Sequence, residues 1–333
     1  MTDAQRLETV MEAERWFDVH GLPYFVRDNE RRVLAALSGS RLAPVLLVAL
    51  VLGLAAGLGV GLATEDLSIG VLLGSLALGV GLPVYALVSL HLQPILRWAV
   101  RQTFGSLGWV FPLITRALPL LLLFVTFLFI NTEVWQVSSS LDRGLLWLTV
   151  LLFAGVAVGF LLVRLPEEVT AVSDDARGDR LADLCAGTPV AAVAGEVAGG
   201  AVSPALSRLQ RVNLILVLLF SQALQVLLLA GSVFLFFIVF GSVAISDEVI
   251  VAWLGEENSA GEPIPSSLPS LDWLPVSNEL FQVSVFLAAF SGLYFTVYAV
   301  TDETYREQFF TSISHELESA VGVQTVYRAL LRP

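Results

Sequence analysis

The sequence predicts an all-α, polytopic transmembrane helix bundle of six spans with short amphipathic helices outside the membrane, and three observations predict it. The chain is 56% hydrophobic and only 14% charged, against about 25% charged residues in ordinary soluble domains. Long charge-free apolar runs recur along it. The positive charge is one-sided: lysine is absent, and seventeen of the eighteen arginines fall in alternate polar segments.

The runs come first. A spanning helix needs about 20 apolar residues to cross a hydrocarbon core of roughly 30 Å. Leu42 to Ala63 meets this, and Leu67 to Leu90 follows after the short turn Thr64-Glu65-Asp66. Ala117 to Ile130 is the short third run, only about 21 Å as a helix. It is expected to borrow length at both ends, with Arg116 reaching inward and Trp135 in an outer aromatic belt. A re-entrant piece over residues 104–116 is the alternative. Gly144 to Val163, the long Leu214 to Ile245, and Phe281 to Val300 complete the set.

Orientation follows from arginine. Segments 1–41, 91–116, 164–211 and 301–333 carry six, three, five and three arginines; 64–66 and 246–280 carry none, and 131–143 carries only Arg143. Positive residues stay on the cytoplasmic side, so six crossings place both termini in the cytoplasm and the chain in the plasma membrane. No cleavable signal is expected, because the first 41 residues are charged and mixed and lead into a full-length apolar run.

The organisation read from this pattern is a cytoplasmic amphipathic segment 1–41; spans one to four over 42–163, with an inner-surface helix near 94–104; a cytoplasmic loop and helical stalk 164–211; spans five and six over 212–300, with an acidic outer loop 246–280; and a cytoplasmic C-terminal helix 301–333. Residues 3–19 read as a helix with Leu7, Val10, Met11, Ala13 and Phe17 on one face, ended by Gly21 and Pro23. In 94–104, Arg97 and Arg101 share a face and Trp98 suits the headgroup layer. Ser173-Asp174-Asp175 suits the cap of a helix through Leu184. Ser203-Pro204 suits the start of a stalk running unbroken into the fifth span. The loop 246–280, with seven acids and Pro263, Pro265, Pro269 and Pro275, reads as an irregular cap. The tail places Phe310, Ile313, Leu317 and Val321 on one side, with Gly322 as a break. Head and tail helices in one compartment are expected to pack together, with the stalk.

Inside the membrane, Gly53, Gly57, Gly61, Gly70 and Gly74 form GxxxG steps, as do Gly155 and Gly159; small residues let helix backbones approach where lipid supplies no hydrophobic drive. Polar side chains are costly there, so their placement is informative. Ser221, Gln222, Gln225 and Ser232 share one arc of the fifth span, and Ser284, Ser291, Tyr294 and Tyr298 one arc of the sixth, with Asp302 continuing it. Ser68, Ser75, Tyr85 and Ser89 do so in the second. The fourth span has no stripe and should face lipid. Asn131 and Glu133 stand at the outer edge as a candidate gate.

Several classes are excluded or unsupported. A net charge of −12 opposes nucleic-acid binding, which needs a basic footprint. One cysteine, Cys185, allows no internal disulfide. His20, His91 and His315 lack metal-ligand spacing, and Arg177 and Arg180 interleave the acids Asp174, Asp175, Asp179 and Asp183. No catalytic set, metal site or cofactor motif is read, so an enzyme is not expected. The stretch Phe127-Leu128-Phe129-Ile130-Asn131-Thr132-Glu133-Val134-Trp135-Gln136-Val137, the pattern Thr301 to Phe310 and the ending Val326-Tyr327-Arg328-Ala329-Leu330-Leu331 resemble uncharacterised integral membrane proteins of high-GC actinobacteria, a group whose resemblance implies no activity.

Two readings of function stay open. In one, Ser221, Gln222, Gln225, Tyr294 and Tyr298 line a polar interior that passes or binds a small solute or ion. In the other the bundle is an anchor, and its cytoplasmic helices bind a protein partner as a scaffold or sensor. The plainer alternative for the polar stripes is interhelical hydrogen bonding, worth about 0.6 kcal/mol per pair. The bilayer is the expected partner in every case, and assembly into a homo-oligomer stays open.

Overall fold

The computed structural model describes residues 2–36, 47, 48, 51, 55, 90–105, 119, 121–175, 180–198, 206–255, 276–301 and 303–331. The first two expected spans lie almost wholly outside these residues, and Gly53, Gly57, Gly61, Gly70 and Gly74 lie outside them altogether. Among the described residues the chain is helical, with no strand. The helices are α1 Asp3–Val19, α2 Arg27–Ala36, α3 Leu92–Gly105, α4 Leu121–Phe129, α5 Thr132–Ser140, α6 Arg143–Asp175, α7 Leu181–Leu184, α8 Ala191–Ala198, α9 Arg208–Ala244, α10 Asp247–Leu254, α11 Asn278–Thr301 and α12 Glu303–Leu330. Among the described residues three helices are long and apolar enough to cross a membrane, in α6, α9 and α11, and four if the bent pair α4 and α5 counts as one span. The chain divides into two compact units: Met1–Arg101 with Val169–Phe220 and His315–Pro333, and Gln102–Glu168 with Ser221–Ser314.

The first unit is built around the end of the chain. Thr2 and Gln5 form a reciprocal capping box that starts α1. Its packed face is the expected one only in part: Ala13 and Phe17 are fully buried, whereas Leu7 and Met11 are 63% and 49% exposed. The polar side chains beside Phe17 explain the rotation. Arg6 Nε donates to the Leu330 carbonyl (2.6 Å), and Glu14 accepts from the Tyr327 hydroxyl (2.7 Å). These bonds turn the Arg6–Glu14 side of α1 toward α12 and leave Leu7 and Met11 outside. α12 is not an amphipathic tail over its last turns. Residues 319–327 are buried on every side, as suits the small and apolar run Ser-Ala-Val-Gly-Val. Gly322 does not split it. It lies inside unbroken helix where an added Cβ would sit 3.3 Å from Leu184 Cβ and 3.4 Å from Cys185 Sγ, so it is a point of close approach. Phe310 and Ile313 carry no described side chains.

Gly21, with φ of +70°, turns the chain after α1. A Cβ there would meet Trp98 Cβ at 2.9 Å. Trp98 is 3% exposed and packs on this turn rather than standing among headgroups. Asn213, near the start of α9, holds the same turn with both ends of its amide: Nδ2 donates to the Gly21 carbonyl and Oδ1 accepts from the Tyr24 N–H, each at 2.9 Å.

The stalk starts later than Ser203-Pro204 suggests; residues 199–205 lie outside the described set. Ser207 Oγ accepts from the Gln210 N–H and Gln210 Oε1 accepts from the Ser207 N–H. This is a second capping box, and α9 then runs unbroken for 37 residues. Ser173 to Asp175 do not begin a helix. They end α6, which continues through Pro166 and an Arg164–Glu167 ion pair, while Leu181–Leu184 is a separate short turn of helix after Arg180.

In the second unit α11 is the central helix. Half of its most apolar window is buried, against 17% for α6, which presents most of its surface outward. Phe153 of α6 meets Phe286 and Phe290. Gly292 lies where an added Cβ would touch Val226 and Ala230, and Gly241 lies against Leu280 and Phe129. These two glycines are close approaches of α9 to α11, whereas Gly155 and Gly159 meet nothing among the described residues. The third run is not a single straight span. α4 stops at Phe129 and α5 leaves at 74°. Trp135 is fully buried, not in an aromatic belt; its Nε1 donates to the Phe129 carbonyl at 2.6 Å, satisfying an end that the helix leaves open. The acidic segment is partly ordered helix: Asp247–Leu254 form α10, and Trp253 packs edge-on against Trp135.

Candidate functional site

The polar stripes of α9 and α11 are the candidate site. Ser221 and Gln222 are each 1% exposed. Ser221 Oγ, both amide atoms of Gln222 and Gln225 Oε1 are buried without a hydrogen-bond partner among the described residues. The other polar side chains of these helices behave differently. Ser232, Ser242, Ser291 and Thr296 donate to the carbonyl four residues earlier on their own helix. That is the ordinary way a hydroxyl is satisfied inside a long helix. Among the described residues Gln222 makes no interhelical hydrogen bond.

The register of the two helices gives the level of this group along α11. α9 and α11 run antiparallel, with residue 241 beside 280 and residues 226 and 230 beside 292. Carried a turn or two further, the same register sets Gln222 level with Tyr298. Tyr298 is half-buried and Thr296 is 2% exposed. Tyr294 does not belong to an interior lining: it is 41% exposed and stacks between Phe124 and Tyr298, at 5.7 and 6.2 Å between centroids. Ser284 Oγ is buried and unpartnered too, but lies nearer the opposite end of α11. Asp302 lies outside the described residues.

Of the two residues of the expected outer gate, one caps a helix and the other is exposed. Asn131 Oδ1 accepts from the Glu133 N–H at 2.8 Å and starts α5, so its amide serves the bend. Glu133 is exposed on the first turn of that helix. The sequence reading missed Glu279, which is 2% exposed in the first turn of α11. Its position beside Asn278 and the acidic segment masks it as one more surface acid.

No family model, curated protein or solved structure matches this chain.

A second feature lies in the first unit. Glu12, Arg15, Trp16, Val19, His20 and Pro189 line an open depression. The His20 ring stacks on Trp16 at 3.9 Å, its Nδ1 lies 2.7 Å from the Trp16 carbonyl and its Nε2 lies 3.9 Å from Glu316. Nearby, burial raises the Asp18 carboxyl above its ordinary pKa, opposed by His91. Burial also pushes the Cys185 thiol up to about 11 and the Tyr24 hydroxyl up to about 12. A buried thiol held protonated is unreactive. Among the described residues no three His, Cys, Asp or Glu side chains gather as a metal site.

Proposed function

We propose that the chain is a multi-pass plasma-membrane protein that binds, and passes, a small uncharged hydrogen-bonding solute between α9 and α11. Gln222 carries the reading: a full side-chain amide, 1% exposed and unpartnered, within a 37-residue helix whose most apolar window has a mean hydropathy of 2.6. An unpaired buried amide costs roughly 1–3 kcal/mol, and a ligand that both donates and accepts removes that cost. Ser221, Gln225 and Tyr298 supply further donors and acceptors but no charge. An ion would need a counter-charge in so apolar a setting. The buried carboxylate of α11, Glu279, is nineteen residues from Tyr298, about 28 Å along the helix.

The test is stopped-flow swelling of proteoliposomes with glycerol and with urea as probes, and potassium flux as the ionic comparison. Gln222→Leu is expected to slow glycerol or urea entry about tenfold, the equivalent of one lost hydrogen bond to the solute. Tyr294→Phe, on the exposed side, is expected to leave it unchanged. Entry that is absent, or indifferent to Gln222→Leu, overturns the proposal. In that case the second reading stands, a membrane-anchored scaffold, favoured by the exposed Leu7 and Met11 on α1.

A further inference from the structure

We infer that α3 is an anionic-lipid-binding helix, with Leu96, Val100 and Phe104 in the acyl boundary and Arg97 on a lipid phosphate. The inference is independent of the solute reading. The helix has two unlike sides. Ile95, Trp98 and Ala99 are 0%, 3% and 0% exposed and face the packed interior around the Gly21 turn. On the other side Leu96, Val100 and Phe104 stand exposed at successive four-residue steps, by 39%, 40% and 51%. They form one apolar ridge about 12 Å long. Arg97 and Arg101 lie along its flank and are exposed. Arg101 is tied by one nitrogen to the Val19 carbonyl at 2.8 Å, while Arg97 has no partner among the described residues.

Chain continuity chooses the occupant. The charge-free apolar run from Leu67 ends at Leu90, and α3 begins at Leu92. The residue between, His91, has φ of +51°, a left-handed conformation that histidine adopts more readily than most side chains and that turns the chain into α3. An amphipathic helix that begins two residues after a charge-free apolar run of membrane-spanning length is placed by the chain at the membrane edge. An apolar ridge flanked by guanidinium groups at that edge suits the headgroup–acyl boundary, where such helices sit about 5–10 Å deep. Arginine meets phosphate there through paired N–H groups. A protein groove would accept the ridge but leaves the flanking charge unexplained.

Two measurements test this on the full chain. First, a nitroxide at residue 100, introduced as Val100→Cys in a Cys185→Ala background, is read in nanodiscs. The expected result is greater collision with oxygen than with a water-soluble nickel chelate, and a deeper position in phosphatidylglycerol than in phosphatidylcholine. Second, phosphatidylglycerol is expected to raise the melting temperature of the unlabelled protein more than phosphatidylcholine does, and Arg97→Gln to abolish the difference. A label at residue 100 that is open to the nickel chelate in both lipids overturns the inference. So does dipolar broadening between labels, which would make the ridge an interface between copies, or a lipid preference that survives Arg97→Gln.

Discussion

Single side chains carry much of this architecture by satisfying groups that a helix leaves open. Asn213 binds Gly21 and Tyr24 with opposite ends of one amide; an aspartate in its place could accept but not donate. Cys185 is fully buried against Gly322, and its displaced pKa has a consequence for stability. The thiol ionises near 9.0 when exposed and about 11 in the fold, and Tyr24 moves from 10.0 to about 12. The folded state thus holds protons that the unfolded chain releases first, so stability is complete below pH 9 and falls as pH rises through these ranges. Melting temperatures measured across the alkaline range should be flat to about pH 9 and then decline. Cys185→Ala should remove the part of the decline between 9 and 11; an unchanged profile in that variant would show the thiol is not its source. Of these residues the sequence showed Gly21 and Gly322 only as helix breaks and Cys185 only as a lone cysteine. Nothing local distinguishes Asn213 from any other polar residue near a helix start, because its partners lie about 190 positions away.

At the scale of an element, helix existence was legible and helix ends less so. The Ser203-Pro204 signal lies outside the described residues, and residues 206 and 207 after it are not helical. The Ser207–Gln210 box makes two reciprocal bonds, and it marks the observed start. Its Ser-x-x-Gln spacing was present in the chain to be read. The α4–α5 bend shows the opposite case. Fourteen apolar residues are too few for a straight span, which the sequence made plain, but their resolution into a 74° corner depends on Trp135 reaching back to Phe129. Trp135→Phe keeps the ring packing on Phe129 and Trp253 and removes only the donor. It should lower unfolding stability by about 1–2 kcal/mol, because a buried carbonyl is left unpaired. Faster amide exchange confined to residues 129–135 would accompany it. Wild-type exchange there would mean that ring packing alone holds the corner.

For the whole molecule, contacts within the first unit join sequence ends more than 300 residues apart, through Arg6 to Leu330 and Glu14 to Tyr327. The N-terminal helix has few buried residues of its own, so its order should depend on α12. Deleting residues 315–333 should expose residues 3–36 to trypsin at Arg6, Arg15 and Arg27, with cleavage at least about tenfold faster, as for a segment that has lost its local stability. Gly322→Leu, which forces side-chain volume against Leu184 and Cys185, should have a milder effect in the same direction. Cleavage unchanged in both would mean that α1 stands without the tail.

The division between what was readable in the chain and what required its folding follows the range of the forces. Composition, the apolar runs and helical periodicity are local properties, and they were enough to predict helices long and apolar enough to span a bilayer, the stretch too short to do so straight, and the polar stripes on two helices. Which member of a stripe is enclosed is not local. Gln222 and Tyr294 read alike in sequence, yet one is buried without a partner and the other stacks outward on Phe124. The same holds for Leu7 against Phe17, and for Gly155 against Gly292. Each depends on a neighbour distant along the chain, whose position only packing determines.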